Sequence, residues 1–265
     1  MTELSTDHVR RAIVEHTRRL AESAALAGPD AVVPTAPEWT VTDLVGHVGQ
    51  TQHWVAEIIE RRITDPAQLP AELVALPVDA GDWIAWLSES AQRVADACSD
   101  DALDAPVFNA AGDARNGTQF WLSSMLNEAV VHGFDAANAA GQLPGVASDI
   151  AAALISNHFT MFTSPTWAMQ RSASAHAICG TGQTLQWLAT DGDGAAWFVE
   201  REPDGATWQP VARQADVTVS GPAASLLLTL TRRLPLDGGG STGITIEGDI
   251  GLAQHWLDNT GHVSG

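Results

Sequence analysis

The pattern of apolar and polar positions predicts that the first half of the chain is helical. Apolar or small residues recur with the period of an amphipathic helix, which predicts helices at 5–26, from Thr40 to about 62, at 80–98, and after Gly117 up to Gly141. Thr40 and Asp43 approximate a capping box at the start of the second helix, with Asp in place of the usual Glu or Gln. Four helices of this length predict a bundle whose inward side chains can form a central site.

The pattern changes after Leu143-Pro144-Gly145, the expected boundary between a domain at 1–143 and a second domain at 146–265. A fifth helix is predicted from a cap at Ser148 or Asp149. Gly221-Pro222 opens a further helix, and Asp249 caps a last one. Short apolar runs predict strands at 175–179, 185–189, 195–199, 217–219 and 244–247, with a hairpin loop at 191–194. The predicted fold class is therefore α+β, a helical bundle followed by a small α+β domain.

The fourth helix carries charged groups in an apolar setting. Residues 119–140 are apolar on nearly every side, which is typical of a buried helix. Glu128 and His132 are spaced i, i+4, so their side chains converge on one face, and Asp135 follows one turn later. A buried carboxylate is costly unless a cation or hydrogen bonds compensate it. His47 lies on the apolar stripe of the second helix and supplies a second inward imidazole.

His47, Glu128 and His132 together resemble the ligand set of a catalytic metal site. Two imidazoles and one carboxylate with an open position are typical of catalytic zinc. A divalent cation would offset the charge of Glu128 and hold both imidazoles neutral. The alternative is a hydrogen-bonded Glu128–His132 pair without metal, with His47 an ordinary core residue. Asp135 is either an outer hydrogen-bond partner of a ligand or a solvent-facing group, whereas His53 is expected to point outward.

Composition narrows the classes of partner. The net charge of -19 and the isoelectric point near 4.5 argue against nucleic acid and anionic membranes. No apolar stretch is long enough to span a bilayer, and the first residues lack the pattern of a secretory signal. Two cysteines do not make a disulfide framework, so a cytoplasmic protein is expected. The absence of Lys and Tyr removes Schiff-base and phenolic acid chemistry.

These motifs resemble a known family. Trp39-x3-Asp43-x3-His47, followed by Glu128-x3-His132-x2-Asp135, resembles the N-terminal domain of the mycothiol-dependent maleylpyruvate isomerase family, whose bundles are DinB-like and bind metal. The segments 221–233 and 244–249 are similar to the family's small C-terminal domain, a sterol-carrier-like α+β unit. The resemblance covers nearly the whole chain.

The resemblance implies a zinc- and thiol-dependent enzyme. His47, Glu128 and His132 match the metal ligands, zinc is the expected divalent ion, and mycothiol is the expected low-molecular-weight thiol. A thiol bound to zinc loses its proton readily. The thiolate could add reversibly to a conjugated cis double bond, giving cis-trans isomerisation, or displace a leaving group, giving S-transfer. The motifs do not separate an isomerase from a transferase.

The resemblance also implies a role for one arginine. Arg233 matches the family's C-terminal arginine, and a guanidinium can bind a substrate carboxylate through two hydrogen bonds. Its alternative role is to donate hydrogen bonds to carbonyl groups at the end of a helix. Arg232 stands where the family usually has Gly. Four side chains within a turn or two of the ligands are candidates to line a thiol or substrate pocket: Gln50, Trp54, Trp121 and Met125.

Two alternatives to the enzyme remain. One is a non-catalytic protein that keeps the metal and the fold as a ligand-binding module or scaffold. The other is a metal-free fold in which Glu128 and His132 only bond to each other. The expected partners of the enzyme are a small electrophilic substrate and a thiol.

Overall fold

The computed structural model of the chain describes residues 4–237 and 242–261, which form two compact units. The first consists of Ser5–Ala110 and Ala114–Pro144, and the second begins at Gly145 and also includes Leu4 and Ala111–Asp113. A helical unit and a unit with a sheet confirm the α+β fold class.

The helical unit contains the four long helices that the apolar period predicts. Its helices are α1 (Thr6–Ala27), α2 (Val41–Glu60), α3 (Trp83–Ala97), a short α4 (Asp100–Leu103) and α5 (Gly117–Ala139), with single 3-10 turns at Pro66–Gln68 and Ala80–Asp82. A small hairpin of β1 (Val32–Val33) and β2 (Ala36–Thr40) precedes α2. The predicted capping box is confirmed, because Asp43 N–H donates to Thr40 Oγ1 and Thr40 N–H donates to Asp43 Oδ2. The direction in which the chain enters α2 is thereby fixed.

The core of this unit lies between α1, α2, α3 and α5. Leu20, Leu44, Val48 and Leu87 are among its fully buried side chains. The prediction that His53 points outward is wrong: its side chain is buried and its ring lies 5.6 Å from that of Trp86. Because α3 packs against α2, the face that would otherwise meet solvent is covered.

The second unit is built on a five-stranded sheet in the order β5-β4-β3-β6-β7. The β3–β6 pair is parallel and the other pairs are antiparallel. Its strands are β3 (Thr184–Ala189), β4 (Ala196–Glu202), β5 (Gly205–Gln209), β6 (Val217–Gly221) and β7 (Thr245–Gly248). Its helices are α6 (Ser148–Phe162), α7 (Pro165–Gln170), α8 (Ser172–Ala177), α9 (Ala223–Leu230) and α10 (Ile250–Asn259). Asp249 caps α10 through a hydrogen bond from the N–H of Leu252, as predicted.

Two local predictions for this unit are wrong, and one strand was missed. The segment 175–179 is not a strand: residues up to Ala177 are helical, and Ile178 N–H donates to Ser174 O. The strand β5 was not predicted, because Gly205 and polar neighbours weaken its alternating pattern. The N-cap of α6 is Ala147, and neither Ser148 nor Asp149 caps it.

Among residues 4–237 and 242–261, no helix combines the length and the apolar character required to cross a bilayer.

Candidate metal centre

Two helices bring the three predicted ligands together. α2 carries His47 and α5 carries Glu128 and His132, at i and i+4 on one helical face. His47 Nε2 lies 3.1 Å from Glu128 Oε2, and His132 Nε2 lies 3.2 Å from the same oxygen. The three potential ligand atoms all lie within 4.8 Å of one another. Residues 81 positions apart in the chain thus converge on one point.

The spacing of these atoms fits a small divalent cation. Ligands about 2.0–2.1 Å from a tetrahedral ion are roughly 3.3 Å apart, close to the two His–Glu separations. The site is closed on one side and open on the other, since the His132 side chain is 8% exposed, against 26% for Glu128 and 31% for His47. Three ligands and an accessible side leave room for an exogenous ligand, as catalytic sites require.

A buried carboxylate orients one ligand from behind. His132 Nδ1 lies 2.9 Å from Asp135 Oδ2, and Thr35 Oγ1 donates to Asp135 Oδ1 at 2.6 Å. Asp135 is 1% exposed, so it is a hydrogen-bond partner of His132 and not the solvent-facing group that was the alternative. Because His132 Nδ1 donates to this carboxylate, Nε2 is the nitrogen that can bind a metal once its proton is released.

An aromatic ring packs against both imidazoles. The ring centroid of Trp39 lies 5.0 Å from that of His47 and 6.0 Å from that of His132, nearly parallel to the latter at 27°. The two imidazole centroids are 5.0 Å apart. The sequence indicated neither this role of Trp39 nor that of Thr35. In the sequence, Trp39 stands just before the capping box and begins the motif that resembles the family, whereas nothing marks Thr35.

The charges at the site are strongly coupled. Burial by itself raises the pKa of Glu128, but hydrogen bonds with His132 and His47 outweigh it and hold that pKa well below its usual range. Burial by itself lowers the pKa of His132, but hydrogen bonds to Asp135 and Glu128 raise it to about 9. Without metal, a proton on His132 therefore compensates the carboxylates. A divalent cation can take over that compensation, because it binds the same atoms.

The four candidate pocket residues lie near the ligands along α2 and α5. Three of them donate to backbone carbonyl groups: Gln50 to Val74, Trp54 to Pro70 and Trp121 to Phe108. The rings of Trp54 and Trp121 meet edge to face, with centroids 5.6 Å apart.

Met125, the fourth candidate, is fully buried. The side-chain N–H groups of Gln50, Trp54 and Trp121 thus hold flanking segments of the chain. Their role in binding remains a prediction.

Arg232 and Arg233 follow α9 in the second unit. Arg233 Nη1 donates to the carbonyl oxygen of Thr231 at 2.9 Å, which agrees with the predicted structural alternative and leaves the catalytic role a prediction. Arg232 has φ 64°, in the left-handed region that favours glycine. The position where the resembled family usually has Gly thus has a backbone conformation suited to Gly.

The fold and the site define a class: a helical bundle with a candidate metal centre, joined to a small α+β unit. Comparison with models of known protein families agrees with this two-part organisation. The model of the mycothiol maleylpyruvate isomerase N-terminal domain matches residues 10–137, and that of the MDMPI C-terminal domain matches 149–255. The chain belongs to the mycothiol-dependent maleylpyruvate isomerase family.

Solved structures show the same fold. The crystal structure of the mycothiol-dependent maleylpyruvate isomerase has 21% sequence identity and a TM-score of 0.51, over 94% of this chain and 98% of that chain. A histidine-to-alanine mutant of that isomerase has 20% identity and a TM-score of 0.52 over the same shares. No significant match was found among curated protein sequences.

Proposed function

We propose that this protein is a thiol-dependent enzyme that uses a divalent metal, with zinc as the expected ion and mycothiol as the expected thiol. The observation that carries the proposal is the convergence of His47, Glu128 and His132 within 4.8 Å, backed by the buried Asp135. Two imidazoles and one carboxylate with an open side form the donor set of catalytic rather than structural zinc. Membership of a mycothiol-dependent family supports the choice of thiol.

The residues of the centre have separate tasks. His47 and His132 offer neutral nitrogen ligands, and Glu128 supplies the negative charge that favours a dication. Asp135 keeps the proton of His132 on Nδ1. When bound, a divalent ion supplies a Lewis acid that lowers the pKa of a coordinated thiol.

The substrate is an electrophile that such a thiol can attack. We propose cis-trans isomerisation of the maleylpyruvate type, or S-transfer from the same centre. Gln50, Trp54 and Trp121 line the binding space, with the buried Met125 beneath them. Arg233, in the second unit, is the proposed partner of a substrate carboxylate. We assign these activities to a metal-binding domain at 1–143 and a second domain at 146–265, in a cytoplasmic protein. Two free cysteines support that reducing compartment.

The test combines metal analysis with turnover. Purified protein should hold about one equivalent of divalent metal per chain, and His47→Ala and Glu128→Gln should hold far less. His255→Ala is the matched control, because His255 is exposed and lies in the second unit. With mycothiol and a panel of cis-enone acids and alkyl electrophiles, wild type and His255→Ala should form product, and chelated protein should not.

Two results would contradict the proposal. Less than a tenth of an equivalent of metal after zinc loading would favour a metal-free Glu128–His132 pair. Full metal content without isomer or thiol adduct across the panel would instead favour a non-catalytic binding or scaffold protein.

A further inference from the structure

The hairpin of β1 and β2 touches both helices that carry the metal ligands. Its two-residue turn, Pro34-Thr35, reaches α5 through the hydrogen bond from Thr35 to Asp135. Val33 is fully buried in the same hydrophobic core as Ala136 on α5. At its other end the hairpin runs directly into α2 through the capping box of Thr40. One short element therefore connects the His47 helix with the His132 helix.

The turn of the hairpin determines how Asp135 can lie. A carboxylate that accepts only from His132 could rotate about its side-chain bonds and carry the imidazole with it. Thr35 Oγ1 holds the second oxygen at 2.6 Å, so both oxygens of Asp135 have a fixed partner. With the carboxylate fixed, the His132 ring presents Nε2 toward Glu128 Oε2, 3.2 Å away.

The second strand of the hairpin restricts the rings directly. Trp39 lies almost parallel to His132 and at 51° to His47, with both centroids within 6.0 Å. The indole thus occupies space beside both imidazoles and limits how far their rings can turn. An imidazole that is already restricted before it binds metal loses less conformational entropy on binding.

We propose that the hairpin of residues 32–40 is a positioning element of the metal centre. Thr35, acting through Asp135, fixes the tautomer and orientation of His132, and Trp39 fixes the orientation of both imidazoles. This inference rests on the proposed function, since it concerns the same centre. It assigns the positioning role to a segment that supplies no ligand itself.

Thr35→Val tests the first half, because it keeps the shape of the side chain and removes the hydroxyl. Removing an outer partner of a metal ligand costs about 10–100-fold in metal affinity, and we expect about tenfold for Co²⁺ measured by chelator competition. Thr35→Ser retains the hydroxyl and should restore the affinity to within about twofold. Thr42→Val is the control: its hydroxyl donates to Pro29 O at 3.0 Å and touches no ligand.

Trp39 is tested by the visible spectrum of the Co²⁺-loaded protein, which reports ligand geometry. Trp39→Ala should change the position or intensity of the cobalt bands, whereas Trp39→Phe, which keeps an aromatic ring, should change them less. A general loss of stability lowers the folded fraction, but does not alter the band shape of the protein that remains folded.

A metal-free readout separates this inference from the proposed function. In chelated protein, the His132 Nδ1 proton hydrogen-bonded to Asp135 should give a low-field NMR resonance, assigned by its absence in His132→Gln. Thr35→Val should shift or broaden that resonance, and Thr42→Val should not. If wild type binds no metal, the proposed function fails while this resonance still tests the hairpin. An unchanged resonance in Thr35→Val, or wild-type cobalt affinity and spectra in both Thr35→Val and Trp39→Ala, would overturn the inference.

Discussion

The contact between α2 and α3 makes a sharp prediction at Gly49, two residues from the ligand His47. A Cβ atom at position 49 would lie 2.2 Å from Cζ3 of Trp86 and 2.5 Å from its Cη2. Carbon atoms pack best at about 3.5–4.0 Å, so the indole would have to move by more than about 1 Å. Trp86 is only 8% exposed and its ring lies 5.6 Å from that of His53, so it has little room to move.

We therefore expect Gly49→Ala to destabilise the helical unit. Overpacking of a core costs about 1–3 kcal/mol, and an overlap this deep belongs at the upper end. Alanine regains about 1 kcal/mol of helix propensity over glycine, which leaves a net loss of about 2 kcal/mol.

Gly133→Ala is the matched control, since Gly133 also lies within a long helix beside a ligand, His132. Its added Cβ would meet nothing closer than the carbonyl oxygen of His16, at 3.9 Å. Only the propensity effect remains, so this variant should be more stable than wild type by about 0.5–1 kcal/mol.

The assay is urea unfolding of chelated protein, read by hydrogen exchange of peptides from α2 and α3 so that the signal belongs to this unit. The two variants should shift the unfolding midpoint in opposite directions with little change of slope. If Gly49→Ala were as stable as Gly133→Ala, the close approach of α2 to Trp86 would be refuted.

Four further predictions concern the charge of His132, the reactivity of the cysteines and the backbone strain at Arg232. Because the pKa of His132 is about 9 without metal, zinc binding at pH 7 should release about one proton. The calorimetric enthalpy of zinc binding should then vary with the ionisation enthalpy of the buffer, and equal enthalpies in all buffers would contradict this. The same raised pKa stabilises the folded apo-protein, fully below about pH 6.5 and no longer once the pH has risen through about 9. The melting temperature of the apo-protein should therefore fall over this pH range, in which zinc affinity rises. Burial raises the pKa of Cys98 to about 12, so a thiol reagent should label native protein at Cys179 alone, and fast labelling that persists in Cys179→Ser would contradict the buried position of Cys98. Arg232→Gly should not destabilise the second unit in thermal melts, because relief of the left-handed backbone strain, about 1 kcal/mol, offsets the loss of an exposed ion pair with Asp258 at 3.5 Å. A fall of more than about 2 kcal/mol in the free energy of unfolding would refute this.

Much of the helical unit was encoded locally. Helix periods and caps are short-range properties, so the four long helices and the capping box of Thr40 and Asp43 could be predicted from the sequence. The i, i+4 spacing of Glu128 and His132 brings them onto one face of any α-helix. The short elements of the second unit were harder to predict, since small residues such as those at 172–177 have no strong period and tertiary contacts decide their structure.

The sequence by itself determined which side chains could bind a metal, because the chemistry of histidine and glutamate and the period of a helix are local facts. Only the tertiary structure decided which groups meet them. Nothing between Thr35 and Asp135 in the sequence indicates their hydrogen bond across 100 residues, nor the burial of His53 under α3. Such contacts depend on how separate elements pack, and long-range packing has no signature in any single segment.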